Sequence, residues 1–340
     1  MKSRRELESY LGNPSQISYI HELTYTEGRM RGARLWEVRA GNCLTFGLLP
    51  DKCLDIGQLS YKGVNIGWQG KGGFYSAPYA HPALGEFNRY FGGGMLWTCG
   101  LKNTGDDHIS ADGYFAHAHG RIGITPCEQV WKECRFEGDD YVLRAGAVVR
   151  ESSLGAHNLT LTRRVTTTLN KAEIDVSDTL ENHEPAAEDY LILYHYNFGY
   201  PFIDENLRMD FGKQALPIIP RTDEAEKGLG EWDRFGKPTD GYEEQCFFHD
   251  PAPDADGMCK IRLENPALGL GVQLSYDKST LPILTQWKSL RSGEYVLGVE
   301  PGNSYLRGID AEREAGNIGQ IEAFGSLTFH TKLNFYDMIQ

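Results

Sequence analysis

Nowhere in the 340-residue chain do apolar residues run on long enough to span a bilayer as a helix, so no membrane association is expected. The opening Met1-Lys-Ser-Arg-Arg-Glu is charged and has no apolar stretch behind it, so no secretory signal is expected either. Basic residues are scarce beside acidic ones: 34 Lys and Arg stand against 47 Asp and Glu, a formal net charge of −13. A nucleic-acid binder needs a cationic surface to neutralise phosphates, and no segment supplies one. The seven cysteines lack CxxC spacing, which argues for free thiols in a reducing compartment and hence a cytoplasmic protein. The glycines of Phe91-Gly-Gly-Gly-Met95 are not followed by the Lys-Ser/Thr of a phosphate-binding loop, and no Gly-x-Ser-x-Gly elbow occurs. Amphipathic helices longer than a few turns are missing as well.

What the sequence does contain is strand after strand. Leu159-Thr-Leu-Thr-Arg-Arg-Val-Thr-Thr-Thr-Leu169 alternates apolar and polar residues, stops at Asn170-Lys171, and is answered by Glu173-Ile-Asp-Val-Ser-Asp-Thr-Leu180. That pattern predicts a β-hairpin. Tyr190–Asn197 is more continuously apolar and reads as a strand buried on both faces. Further strands are expected at 32–38, 142–150, 259–263, 268–276, 282–287, 295–299 and 321–333. One short helix is expected at Ser3–Tyr10, within an N-terminal segment 1–15 punctuated by Gly12 and Pro14. Together these predict an all-β antiparallel sandwich forming one domain over residues 1–340, with the Pro-, Gly- and charge-rich stretch 204–244 as inserted loops. Open sheet edges and faces leave room for a homodimer.

Three segments combine ionisable groups with aromatics and permissive Gly or Pro: Phe91–Gly100 with His117-Ala-His119-Gly-Arg121, Tyr194-His-Tyr-Asn-Phe-Gly-Tyr-Pro201, and Val299-Glu-Pro-Gly-Asn303. His195 closes an apolar strand, where a histidine is either a satisfied structural group or a tuned proton donor. Glu300 closes another, where a carboxylate is costly without a partner or a task and tends toward a raised pKa. His117 and His119, two apart, would share one face of a strand, and with Glu128 would have the spacing of a metal site. Hydrogen bonding to a substrate is the favoured role for His119, and a structural one for His117. Arg89, Trp97, Lys102 and Asn103 are candidates to line a pocket.

These segments resemble the galactose mutarotase-like superfamily, and within it a bacterial aldose 1-epimerase-like family of unknown function. The resemblance runs from about Asp51 to Phe335. It is carried by Gly92-Gly-Gly-Met-Leu-Trp-Thr-Cys-Gly-Leu101, Ala118-His-Gly-Arg121, Tyr194–Pro201 and Gly298-Val-Glu-Pro-Gly-Asn303. It implies an antiparallel β-supersandwich and an enzyme that interconverts the α and β anomers of a free sugar, without cofactor or metal. On the matching positions His195 would be the general acid and Glu300 the general base. His119 would bind substrate, with Arg89, Trp97, Asn197 and Arg121 as further contacts. The family's His-x-Tyr-Phe-Asn run is here His195-Tyr-Asn-Phe-Gly, and its sugar-contacting aspartate has no evident counterpart in 204–244. Other readings are a non-catalytic sugar-binding or regulatory protein of this fold, an enzyme acting on an anionic sugar held by Arg121, Arg291 or Arg307, and a metal-dependent isomerase built on His117 and His119.

Overall fold

The computed structural model describes residues 2–111 and 113–338. The chain opens with helix α1 (Arg4–Tyr10), started by a capping box in which Ser3 and Glu6 satisfy each other's backbone N–H. Strands β1 (Ser18–Thr24), β2 (Arg34–Ala40), β3 (Leu44–Leu49), β4 (Asp55–Tyr61) and β5 (Val64–Asn65) follow. After helix α2 (Phe87–Tyr90) come β6 (Leu96–Leu101) and the small hairpin β7 (His108–Ile109) and β8 (Phe115–Ala116). The long strands β9 (Gln129–Glu137), β10 (Asp140–Ser152), β11 (Asn158–Thr168), β12 (Glu173–Asn182) and β13 (Glu188–Gly199) form the middle of the chain. The expected loop region holds β14 (Arg208–Asp210), β15 (Ile219–Pro220) and helix α3 (Asp223–Gly228). The remainder is β16 (Gln245–His249), β17 (Met258–Asn265), β18 (Leu270–Asp277), β19 (Ile283–Arg291), β20 (Glu294–Gly302), helix α4 (Ile309–Glu314), β21 (Gly319–Ile321) and β22 (Ser326–Asp337). The single strand expected at 321–333 is therefore two, separated by a turn closed by Gly325 N–H donating to Glu322 C=O.

Strands β1 to β5 form a five-stranded sheet in sequence order. An eight-stranded sheet runs β14-β17-β18-β22-β12-β11-β10-β9. A seven-stranded sheet runs β15-β16-β19-β20-β13-β21 with β6 added on β13. Pairing along these sheets is antiparallel throughout. The predicted hairpin is the β11–β12 pair, with Asn170 in the left-handed region at its turn. Period-2 alternation then decides which side of each strand meets the core. On β13, Ile192, Tyr194, Tyr196 and Phe198 enter the main apolar cluster with Val176, Leu180, Phe329 and Leu333 of the eight-stranded sheet. The intervening residues Leu193, His195 and Asn197 project to the opposite, outer face.

A cluster of charged groups interrupts that apolar interior. Arg163 of β11 and Asp178 of β12 are register partners, both fully buried. The guanidinium donates to Asp178 at 2.6 and 2.9 Å, to Asp55 of β4 at 2.5 Å and to Thr98 of β6 at 2.8 Å. Tyr194 of β13 donates its hydroxyl to Asp178 at 2.7 Å. Five strands from three sheets thus meet at one cation. Burial, partly offset by Arg163, pushes the Asp55 carboxyl up to about 6.

Removing the cation would leave two carboxylates buried without a counter-charge, a change that costs about 3–5 kcal/mol in comparable buried pairs. Arg163→Met is expected to lower unfolding stability by that amount in urea titration. A loss under about 1 kcal/mol would show that the cluster is not a structural tie.

Candidate active site

The outer face of the seven-stranded sheet is where ionisable groups collect. The register that pairs Tyr196 with Val299 places His195 of β13 directly across from Glu300 of β20. Glu300 is in turn opposite Thr285 of β19, and next to that pair Trp287 of β19 is opposite Cys246 of β16. His195 Nε2 lies 3.1 Å from Glu300 Oε1, and the two residues are only 5% and 1% exposed. Gly298, two residues before Glu300 on the same face, makes this possible: a Cβ there would meet the Glu300 carboxylate at 2.3 Å.

These residues form the floor of a cavity of about 430 Å³, within the size range of small-molecule sites. Phe87, Phe91 and Trp287 supply aromatic wall, with the Phe91 and Trp287 rings 5.3 and 5.6 Å from the His195 ring. His119 faces the same space, its ring 6.0 Å from His195 and 5.0 Å from Phe87. It is delivered by a turn, not a strand, with φ of 55°. Gly120 follows at φ +73°, and a Cβ there would strike Gly100 C=O at 1.9 Å. That clash is the physical reason a glycine follows this histidine.

Burial pulls His195 well below its ordinary pKa, with His119 adding to the effect. Burial pushes Glu300 well above the usual carboxylate range, against the pull of Arg221. Each neutral form is thus favoured in the cavity.

Two residues of the 204–244 stretch and its edge complete the wall. Arg221 lies at the rim, reaching Asp106 at 3.2 Å. Glu244 is held by the Trp287 indole N–H at 2.7 Å. Asp107 also lines the cavity, its carboxylate fixed by the backbone N–H groups of Gly85 and Ala118. Reasoning from sequence missed all three, because only the fold brings these loops to the floor strands.

The other expected contacts lie elsewhere. Arg89 points outward and pairs with Glu86 at the surface, so it does not enter the cavity wall. Trp97, across from His195, is buried behind Phe91 and Tyr90 with Lys52 over its ring. The Asn197 amide is committed to the carbonyls of Gly94 and His195. Arg121 sits behind His117, whose ring is buried 3.2 Å from Asp107. Glu128 pairs with Arg150 on the outside of the eight-stranded sheet. Among the described residues, no group of three or more His, Cys, Asp or Glu is placed to hold a metal ion. No helix there is long and apolar enough to cross a membrane, and the seven cysteines are free.

The profile of a family described as a domain of unknown function, DUF4432, matches residues 30–335. No curated protein matches by sequence. Among solved structures, a proposed aldose 1-epimerase from Klebsiella pneumoniae is 26% identical, with a TM-score of 0.88 over 94% of this chain and 83% of its own. A galactose mutarotase-like protein from Clostridium acetobutylicum aligns with a TM-score of 0.64 at 14% identity, over 95% of this chain and 100% of its own. A galactose 1-epimerase from Lactobacillus acidophilus gives 0.63 at 12%, again over 95% and 100%. The last two show likeness of fold alone.

Burial holds His117, His119, His157 and His249 down to about 4. Unfolded, each would titrate near 6.5. The folded protein therefore binds fewer of these protons between pH 4 and 6.5, and the histidines' contribution to stability rises with pH across that window. Asp55, at about 6, and Glu151, at about 7, act oppositely by keeping protons they would lose on unfolding, as do Glu300 and His330, both raised, so the histidines' share is read one residue at a time. The difference in urea midpoint between wild type and His249→Asn should shift in favour of wild type from pH 4.5 to 6.5; a difference that does not change with pH would mean that His249 is as readily protonated in the native state as in the unfolded one.

Proposed function

Because this chain belongs to the DUF4432 family and carries the galactose mutarotase-like fold, we propose that it interconverts the α and β anomers of a free sugar by acid–base ring opening. The reading rests on one observation above all: a buried histidine and a buried glutamate meet at the floor of an aromatic-walled cavity. A sugar's anomeric hydroxyl entering there would displace the direct His195–Glu300 contact. Glu300, as carboxylate, takes the hydroxyl proton while His195 gives a proton to the ring oxygen, and the bond between the anomeric carbon and the ring oxygen breaks. Rotation about the bond beside the new aldehyde exposes its other face. His195 then recovers its proton, Glu300 returns the one it took, and the ring closes as the other anomer.

The protonation states this needs are reached inside the pair. Moving one proton from Glu300 to His195 converts the neutral pair into carboxylate and imidazolium without exchange with solvent. His119 would hold sugar oxygens near the acid, while Arg221, Glu244 and Asp107 would offer a donor and two acceptors for the remaining hydroxyls. Phe87, Phe91 and Trp287 would receive the apolar face of the ring. The expected substrate is a small sugar, the site is cytoplasmic, and the chemistry needs no cofactor.

Each proton transfer is worth about a hundred- to ten-thousandfold. Glu300→Gln and His195→Asn should each lower the rate of anomer exchange by a factor in that range, read by NMR saturation transfer over aldoses, ketoses and their phosphates. Arg89→Ala, away from the cavity, should leave it unchanged. Sugars that bind the wild-type protein with no acceleration of exchange would instead identify a carbohydrate-binding protein.

A further inference from the structure

A second and larger cavity, of about 640 Å³, lies on the other side of the aromatic wall. Its floor is the outer face of the five-stranded sheet. Strand alternation sends Trp36, Val38, Phe46, Leu48 and Leu59 into the core. It turns Leu35, Glu37, Thr45, Gly47, Gln58 and Ser60 outward, and these line the groove. The Leu35 side chain lies over Gly47, where a Cβ would meet it at 2.7 Å, and gives the floor an apolar patch.

The groove's walls are aromatic. Trp68, Phe74, Tyr200 and Tyr295 line it. Tyr200 leaves 71% of its surface in solvent, so its ring is free to meet a ligand. One Asn65 amide donates to Gly67 C=O and to Tyr200 C=O, each at 2.8 Å, and so joins the segments that carry Trp68 and Tyr200.

Lining chemistry selects the occupant. Among the described residues, no lysine or arginine lines the groove. Its one carboxylate, Glu37, already accepts from the Tyr19 hydroxyl at 2.8 Å. An anion would find no counter-charge, and a nucleic acid or phosphorylated ligand is excluded on that ground. A fully apolar ligand would bury the Gln58, Thr45 and Ser60 polar groups against nothing. A neutral molecule with hydroxyls along its edges and apolar ring faces satisfies both the carboxamides and hydroxyls of the floor and the rings of the walls.

From this geometry we infer that the groove is a second saccharide-binding site, for a neutral oligosaccharide, distinct from the candidate active site. The two sites are neighbours. The Trp68 ring packs edge-on against Trp287 at 5.7 Å and against Phe91 at 6.0 Å, both of which line the catalytic cavity. The backbone just before Trp68 bridges to Phe198, and Trp68 N–H donates to Asn197 C=O, two residues past His195. A glycan held in the groove would keep further sugar close to the mouth of the catalytic pocket.

The test uses the full-length protein and neutral trisaccharides of glucose, galactose and mannose whose anomeric end has been reduced to the alditol, so that no ring opening can occur. Saturable binding, followed by saturation-transfer difference NMR and by tryptophan fluorescence, is expected for at least one of them. Tyr200→Ala and Gln58→Ala, both solvent-facing changes, should each weaken it about tenfold or more while leaving anomer exchange on monosaccharides and the unfolding midpoint unaltered. Glu300→Gln should leave trisaccharide binding intact. If no trisaccharide binds, or if binding survives both groove substitutions, the inference is overturned. Binding lost in Glu300→Gln would also overturn it, because the ligand would then be in the catalytic cavity. Anomer exchange itself is read separately, so failure here leaves the proposed reaction standing.

Discussion

A single buried guanidinium sets the geometry on which the candidate site depends. Arg163 cannot be hydrated where it lies, so its donors must be met by protein, and the groups that meet them come from β4, β6, β12 and, through the Tyr194 hydroxyl, β13. Hydrogen-bond directionality makes this a stricter tie than apolar contact, which tolerates sliding. With Tyr194 fixed inward, the next residue along β13 has to project outward. That residue is His195. The charged cluster thus fixes the register and facing of the strand that carries His195, from the far side of the sheet.

Facing alone does not make a site; neighbours do. On the outer side, antiparallel register sets His195 against Glu300, and the lack of a side chain at Gly298 gives the carboxylate room. Burial then works on both groups in opposite directions, lowering the histidine's proton affinity and raising the glutamate's. Burial thus favours the neutral pair, and the proposed reaction starts from the ionised pair that one proton moved from Glu300 to His195 would create. The loops contribute the rim and the strands contribute the reactive floor, the usual division between rigid scaffold and variable specificity.

The parts of this that could be read from the chain were the parts written in local pattern. The Thr- and Val-rich alternation of 159–180 is a hairpin, and the runs leading to His195 and Glu300 are strands, which continue to Gly199 and Gly302 where an end at each of the two residues was expected. The glycine after His119 is explained by its close approach to Gly100. What could not be read was anything set by distance in the chain. Arg221, Glu244 and Asp107 have no sequence context that marks them, and they reach the cavity only because three separate loops converge over one sheet face. Arg89 looked suitable by position in the chain, yet its short helix turns it to solvent beside Glu86. Asn197 shares His195's facing, but backbone carbonyls claim its amide before any ligand could.

Beside Trp287, on the neighbouring strand, Cys246 is a thiol lining the space in which a ring-opened sugar would present its aldehyde. Thiolates add readily to aldehydes, and such an adduct would poison the cavity. Here burial first, and the negative charge of Glu300 second, push the Cys246 thiol well up from its ordinary value, so it stays protonated and unreactive. Because burial is the larger cause, the thiol stays protonated even when Glu300 has taken up the sugar's proton, and a pocket that contains a potential trap remains chemically silent toward an aldehyde.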